Sequence, residues 1–136
     1  MPNHPPEIAA FLAVGSFVVV GASADRAKYG NKVLRCYAQH DLPVVGVHPK
    51  LTTVENVPCY ASLAAIPGAA RAASIVAPPA AAAAIVADAR ASGVRHLWFQ
   101  PGAEEPTAIA AARAAGLHVI ANGPCLLVAL GFRDEA

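Results

Sequence analysis

Short apolar runs alternate along the chain with longer segments in which apolar residues recur at helical spacing. Apolar runs of this length predict strands covered on both faces, because such strands have no polar face. They occupy residues 17–20, 44–47, 72–76, 96–99 and 117–120. The segments between them predict helices at residues 5–12, 29–40, 80–92 and 104–115.

Prolines and glycines support these helix limits. Pro78-Pro79 and Pro106 stand where helices begin, and Gly93 and Gly116 stand where helices end, as is typical of these residues. Two stretches between the second and third predicted strands are less regular. Residues 51–60 are predicted to be irregular, and residues 61–66 to form a short helix.

Alternating strands and helices predict an α/β fold. Parallel strands joined by right-handed helical crossovers form a doubly wound, Rossmann-like sheet, here with five strands and helices on both faces. The chain of 136 residues suits a single domain, residues 1–136. In such sheets a ligand binds beyond the carboxyl ends of the strands, where the strand order reverses.

The first predicted strand leads into a stretch of small and basic residues, 21–30. Gly21 can adopt backbone angles that other residues avoid, and the small Ala22 and Ser23 allow a ligand to approach the main chain. The helix that follows offers unpaired N–H groups and a dipole that favours negative charge. The same stretch contains the basic residues Arg26 and Lys28. We therefore predict a phosphate-binding turn.

The end of the second predicted strand indicates which nucleotide is bound. A nicotinamide site has the pattern G-x-G-x-x-G and an acidic residue after the second strand, and this chain has neither. His48-Pro49-Lys50 stands in the acidic position. A lysine suits a phosphate better than two ribose hydroxyls. A ligand with an extra phosphate is predicted, either NADP or coenzyme A, and the long, charged first turn favours coenzyme A.

Three motifs together are typical of one family. They are Val20-Gly21-Ala22-Ser23 with Tyr29-Gly30, Val47-His48-Pro49-Lys50, and Leu97-Trp98-Phe99-Gln100-Pro101-Gly102. In these motifs the chain resembles the small CoA-binding proteins of bacteria, which are similar to a free-standing form of the CoA-binding domain of the succinyl-CoA synthetase α subunit. The resemblance covers a core of about residues 7–127. In this chain His48 stands where the family usually has Asn.

The resemblance implies a role for each matching position. The first turn would lie against the pyrophosphate, Arg26 and Lys50 would meet phosphates, and the remaining positions would line the adenine and pantetheine sides. The implied binding residues are Gly21, Ala22, Ser23, Arg26, Tyr29, Gly30, His48, Pro49, Lys50, Ala77, Pro78, Gln100, Pro101, Gly102, Asn122 and Cys125. The implied ligand is coenzyme A or an acyl-CoA.

The composition of the chain argues against several other classes of protein. A net charge of +1 does not suit a nucleic-acid surface, and Pro78-Pro79 interrupts the apolar residues 72–87, so no membrane span is predicted. The five histidines are scattered, and no C-x-x-C occurs, so no metal site is predicted. The three cysteines fit a reducing compartment, and we expect a cytoplasmic protein. They are Cys36, Cys59 and Cys125.

The implied binding residues favour a non-enzymatic module that binds or senses coenzyme A or an acyl-CoA, because no catalytic pair stands out in the sequence. Two other functions stay open. One is an NADP-dependent reductase of minimal size, and the other is a redox protein that forms a mixed disulfide between Cys125 and coenzyme A. A homodimer or an unidentified protein partner is also possible, with the apolar residues 126–132 as the expected contact.

Overall fold

The computed structural model describes residues 4–134. Helices and strands alternate there except between residues 44 and 75, where four strands follow one another without a helix. The strands are β1 (Phe17–Val20), β2 (Val44–Val47), β3 (Thr53–Val54), β4 (Val57–Tyr60), β5 (Ala72–Ile75), β6 (His96–Phe99) and β7 (His118–Ile120). The helices are α1 (Pro6–Ala13), α2 (Tyr29–Gln39), α3 (Ala82–Ser92), α4 (Pro106–Ala114) and α5 (Leu126–Leu130). A short 3₁₀ turn, Pro79–Ala81, leads into α3.

The strands form one sheet with the order β3-β4-β2-β1-β5-β6-β7. All neighbouring pairs are parallel except β3 with β4. The chain proceeds from β1 to one side through β2, and then returns to the other side of β1 through β5. The strand order therefore reverses between β1 and β5, which is where a sheet of this kind binds its ligand.

Side chains alternate between the two faces of the sheet, and each face has its own apolar core. On one face, Phe17 and Val19 of β1 pack with α1, α2 and α5. On the other face, Val18 and Val20 pack with α3 and α4. Every residue of β1 is buried because both faces are covered, and this explains why its sequence is apolar throughout.

The predicted α/β class with a doubly wound sheet is correct, but the prediction of five strands is wrong because the sheet formed by residues 4–134 has seven. The additional strands β3 and β4 lie in the stretch predicted to be irregular. The turn between them places Glu55 and Asn56 at φ 52° and 62°. A tight hairpin of this kind usually carries glycine, so its sequence signal is weak here.

The predicted helix at residues 61–66 is also wrong, because the structure has turns and bends there. The carboxylate of Asp88 accepts hydrogen bonds from the backbone N–H groups of Leu63 (2.8 Å) and Ala64 (3.3 Å). A side chain from α3 thus satisfies backbone donors of this stretch.

The apolar segment after residue 125 begins with a short helix, α5, which the sequence pattern did not predict.

Two further observations concern membrane-spanning helices and metal sites. Among residues 4–134, no helix has both the length and the apolar character that a membrane crossing requires. The same residues contain no group of three or more His, Cys, Asp or Glu side chains that could hold a metal ion.

The hydroxyl pair of Tyr37 and Ser74 is a polar contact inside the apolar core. The hydroxyl groups of Tyr37 in α2 and Ser74 in β5 are 2.6 Å apart, and both residues are fully buried. Burial raises the pKa of Tyr37 far above its usual range, so the phenol stays protonated. Because neither hydroxyl meets water, each depends on the other as its hydrogen-bond partner.

We expect Ser74→Ala to lower the free energy of unfolding by about 1–3 kcal/mol, because the Tyr37 hydroxyl is left buried without a partner. Urea unfolding followed by the fluorescence of Trp98 measures this change. The double variant Tyr37→Phe/Ser74→Ala removes both hydroxyls and should be more stable than Ser74→Ala alone. Equal stability of Ser74→Ala and the wild type would contradict the role given to this pair.

Candidate functional site

The turn after β1 is built around Gly21. Its φ is +103°, and a Cβ at this position would lie 1.7 Å from the carbonyl oxygen of Val76, at the end of β5. No residue with a side chain fits that space, and the backbone angle also favours glycine. Gly21 therefore brings the backbones at the ends of β1 and β5 together.

Gly30 allows a similarly close backbone contact at the start of α2. A Cβ here would lie 2.0 Å from the carbonyl oxygen of Gly21. The first turn of α2 thus packs directly against the turn after β1. Lys28, which precedes the helix, provides no side-chain hydrogen bond to its N-terminus. The first N–H groups of a helix have no partners within it, so this end is suited to receive an anion.

A cavity of about 700 Å³ opens beside these glycines, at the point where the strand order reverses. It lies beyond the carboxyl ends of β1, β5 and β6, with the residue before α5 on its wall. The lining residues are Gly21, Ser23, Lys28, Tyr29, Gly30, Val76, Ala77, Pro78, Pro101, Gly102, Ala103 and Cys125. Its size lies within the range of small-molecule sites in proteins.

The structure brings most of the predicted binding residues together around this cavity. Those on its wall are Gly21, Ser23, Tyr29, Gly30, Ala77, Pro78, Pro101, Gly102 and Cys125. The wall also includes three residues outside the predicted set, namely Lys28, Val76 and Ala103. Each adjoins a predicted motif. The sequence signal that could have identified Lys28 is its positive charge within the predicted phosphate-binding turn.

Two predicted residues are buried and do not line the cavity. Ala22 is 5% exposed and belongs to the core on the α2 side. Gln100 is completely buried. Its Oε1 atom accepts hydrogen bonds from the backbone N–H of Leu126 (2.8 Å) and, at 3.4 Å, from the hydroxyl of Tyr29. Gln100 therefore holds the start of α5 and the Tyr29 ring beside the cavity.

Arg26 also lies off the cavity wall. Its Nη1 atom is 2.6 Å from a carboxylate oxygen of Glu55, in the hairpin between β3 and β4. A hydrogen bond from Asn31, followed by the contact with Arg26, holds the pKa of Glu55 below its ordinary value. The side chain predicted to meet a phosphate is thus paired with a carboxylate that the sequence analysis did not connect to it.

The turn after β2 is stabilised by His48. Its Nδ1 atom accepts hydrogen bonds from the backbone N–H groups of Lys50 (3.0 Å) and Leu51 (2.9 Å). Pro49 and Lys50 are exposed in this turn and are not on the cavity wall. Because β2 pairs in parallel with β1, the turn nevertheless lies at the same edge of the sheet as Gly21.

Asn122 is the remaining predicted residue. It is exposed, with φ of 58°, and it lines a separate cavity with Glu104 and Arg113. Its position in a left-handed backbone conformation is one that asparagine tolerates better than most residues. The structure therefore gives Asn122 a place in the turn after β7, outside the main cavity.

Three residues on the cavity wall have ionisable side chains, namely Lys28, Tyr29 and Cys125. Burial, and then a hydrogen bond with Cys125, raises the pKa of Tyr29 well above its usual range. Tyr29 therefore stays protonated at neutral pH. Behind this wall, burial raises the pKa of the Cys36 thiol to about 11, so that this thiol also stays protonated.

Comparison with protein families gives a match over most of the chain. The model of a family described as "CoA binding domain" matches residues 15–131. No curated protein matches the chain.

Several solved structures share the fold. A conserved hypothetical protein from Pyrococcus furiosus is 32% identical, with a TM-score of 0.78, and the match covers 83% of this chain and 97% of that one. A hypothetical protein from Pyrococcus horikoshii OT3 is 26% identical, with a TM-score of 0.83 and coverage of 94% of both chains.

A larger protein contains the same fold as one part. The dinucleotide forming acetyl-coenzyme A synthetase 1 of Ca. Korarchaeum cryptofilum, in its apo form, is 23% identical with a TM-score of 0.68. The match covers 77% of this chain but 25% of the synthetase. At this identity the likeness concerns the fold alone. Together these structures agree with the doubly wound fold predicted from the sequence.

We expect Gly30→Ala to destabilise the protein by about 1–3 kcal/mol, because the added methyl group collides with the backbone of Gly21. Thermal unfolding measures the change. Gly123→Ala is the matched control, since the nearest heavy atom to a Cβ at Gly123 is 3.9 Å away. If both variants melted at the wild-type temperature, the close packing of α2 on the β1 turn would be disproved.

Proposed function

The chain belongs to the CoA binding domain family, as its motifs predicted, and on that premise we propose that it binds coenzyme A or an acyl-CoA in the cavity beside Gly21. The observation that carries the proposal is the position of this cavity. It lies at the reversal of strand order, against a glycine turn and the start of α2. The sequence resemblance was to bacterial members of this family, and a bacterial source stays a prediction.

The pyrophosphate would lie against the glycine turn. Ser23 and Gly30 are on the cavity wall, and α2 begins there without a side-chain cap. The N-terminus of a helix attracts phosphate through its free N–H groups and its dipole. Lys28 adds a positive charge on the same wall. These features favour a doubly charged ligand group at this end of the cavity.

Lys50 would meet the 3′-phosphate of the adenosine ribose. It is exposed after β2, at the edge of the sheet that carries Gly21. His48 stabilises the turn through two backbone N–H groups, so that Lys50 is presented from a defined position. A lysine ammonium recognises a phosphate as a point charge, and it recognises ribose hydroxyls poorly.

The pantetheine chain would follow the less polar wall. Val76, Ala77 and Pro78 line one side of it, and Pro101 and Ala103 line another. Small and apolar side chains of this kind suit a flexible chain with few charged groups. Cys125 also belongs to this wall, beside the Tyr29 hydroxyl.

The cavity favours binding over catalysis. Its ionisable side chains are Lys28, Tyr29 and Cys125, and Tyr29 is held in its protonated form. General acid–base catalysis needs groups whose pKa lies near the working pH, which the Tyr29 phenol does not offer. We therefore favour a binding or sensing module, acting with a protein partner or as a homodimer in the cytoplasm.

A redox role is the second candidate, and the position of Cys125 is the observation that favours it. In this role, the thiolate of Cys125 attacks the disulfide of oxidised coenzyme A (CoA disulfide). A mixed disulfide forms on the protein, and one CoA thiolate leaves, so the electrons balance by exchange. Incubation with CoA disulfide, followed by mass spectrometry without reductant, tests this candidate. The adduct must appear on the wild type and be absent from Cys125→Ser.

We expect calorimetric titration to show binding of CoA, weaker binding of dephospho-CoA, and no comparable binding of NADPH. Lys50→Ala should weaken CoA binding by about ten- to a hundredfold, as for the loss of one charge-assisted hydrogen bond. The same variant should leave the affinity for dephospho-CoA unchanged, because that ligand lacks the 3′-phosphate.

Arg90→Ala provides a control with the same change of charge on an exposed position of α3. Binding of NADPH without CoA would favour the minimal NADP-dependent reductase instead. An equal loss of both CoA and dephospho-CoA in Lys50→Ala would remove Lys50 from the 3′-phosphate site. No binding of any of the three ligands would refute the proposed function.

A further inference from the structure

Two buried polar side chains of α2 hold the backbone of the loop at residues 21–30. The Nδ2 atom of Asn31 donates a hydrogen bond to the carbonyl oxygen of Ser23 (2.8 Å). The Nη2 atom of Arg35 donates one to the carbonyl oxygen of Arg26 (3.0 Å). Asn31 is fully buried, and Arg35 is 7% exposed. Neither of them lines the cavity.

The two side chains are also bonded to each other. The Nε atom of Arg35 donates to Oδ1 of Asn31 at 2.6 Å, across one turn of the helix. Asn31 additionally donates to the carboxylate of Glu55 at 3.1 Å, and Glu55 in turn pairs with Arg26. Burying a guanidinium is costly unless it is paired and hydrogen-bonded. Hydrogen bonds to Asn31 and to the carbonyl oxygen of Arg26 in the loop offset this cost for Arg35.

Residues 131–134, which we call the C-terminal strap, contact the same arginine. Asp134 lies 3.3 Å from Nη1 of Arg35, and the guanidinium stands 5.1 Å from the centre of the Phe132 ring. Gln39 exchanges two hydrogen bonds with the backbone of Arg133, and a ring nitrogen of His40 lies 2.8 Å from the carbonyl oxygen of Gly131.

We propose that Asn31 and Arg35 are positioning residues for the phosphate-binding loop, and that the C-terminal strap holds Arg35 in place. The proposal deepens the proposed function and rests on it for the identity of the ligand. A loop that is ordered before binding loses less entropy when the ligand arrives, and this raises affinity. The strap therefore sets the affinity of a site that it does not touch, and a partner that displaces it would weaken ligand binding.

Three variants separate the contacts. Arg35→Lys keeps the charge but lacks the fork that reaches Asn31, the Arg26 carbonyl and Asp134 together. Asn31→Asp keeps an acceptor for Arg35 but loses both donated hydrogen bonds, the one to the Ser23 carbonyl and the one to Glu55. Asp134→Asn is a mild change of a side chain that is 58% exposed. Arg90→Lys on the exposed surface of α3 is the control.

The first measurement is amide hydrogen exchange in the ligand-free protein. In the wild type, the N–H of Ala27 donates to the Asp25 carboxylate, and the N–H of Lys28 donates to the Asp25 carbonyl oxygen. We expect exchange at these amides to rise about tenfold in Arg35→Lys and Asn31→Asp, as for the loss of a supporting hydrogen bond. Asp134→Asn should give a smaller rise. Exchange in β1 and β5 should stay unchanged.

The second measurement is the affinity for CoA by calorimetry. We expect it to fall about tenfold in Arg35→Lys, to fall less in Asp134→Asn, and to stay unchanged in Arg90→Lys. The fall should appear as a less favourable binding entropy, because the ligand must then order the loop.

The outcomes distinguish this proposal from the proposed function. Loop exchange that is unchanged in Arg35→Lys and Asn31→Asp would overturn it, whatever ligand the protein binds. So would an equal rise throughout the sheet, since this would mean only that the fold is less stable. If the wild type did not bind CoA, the proposed function would fail, while the exchange data would still decide whether these residues order the loop.

Discussion

The close contact between backbones at Gly21, Gly30 and Val76 is the constraint on which the site depends. A Cβ at Gly21 would lie 1.7 Å from the Val76 carbonyl oxygen, and one at Gly30 would lie 2.0 Å from the Gly21 carbonyl oxygen. The end of β1, the end of β5 and the start of α2 therefore meet without side chains between them. This leaves the start of α2 at the place where strand order reverses, and a helix start in that place is suited to an anion.

Polar side chains then hold the segments around the site in place, beside the strand ends and the helix start that the glycines bring together. Gln100, fully buried, accepts hydrogen bonds from Leu126 and Tyr29, and so sets the wall on the α5 side. Asn31 and Arg35 hold the loop from behind. Buried polar groups of this kind must find partners within the protein, and they therefore specify one arrangement of the surrounding elements. The cavity wall is left with small and apolar residues and few ionisable groups.

The limits of sequence-based prediction follow the range of the contacts involved. The apolar runs of β1, β2 and β5 predict their own burial, because each strand is covered on both faces. The hairpin of β3 and β4 gives no comparable signal, since it carries Glu55-Asn56 at its turn instead of glycine. Likewise, residues 61–66 resemble a helix in composition, but Asp88 from α3 satisfies their backbone in another conformation.

By itself, the sequence determined the doubly wound fold, the glycine turn at Gly21 and membership in the CoA binding domain family. These depend on local patterns and short motifs, which can be seen without knowing what packs against them. Only the tertiary structure decided which side chains reach the cavity. Arg26 pairs with Glu55, and Gln100 turns into the core towards Leu126. Such choices depend on partners far away in the chain, because burial and hydrogen bonding are satisfied only when distant elements meet.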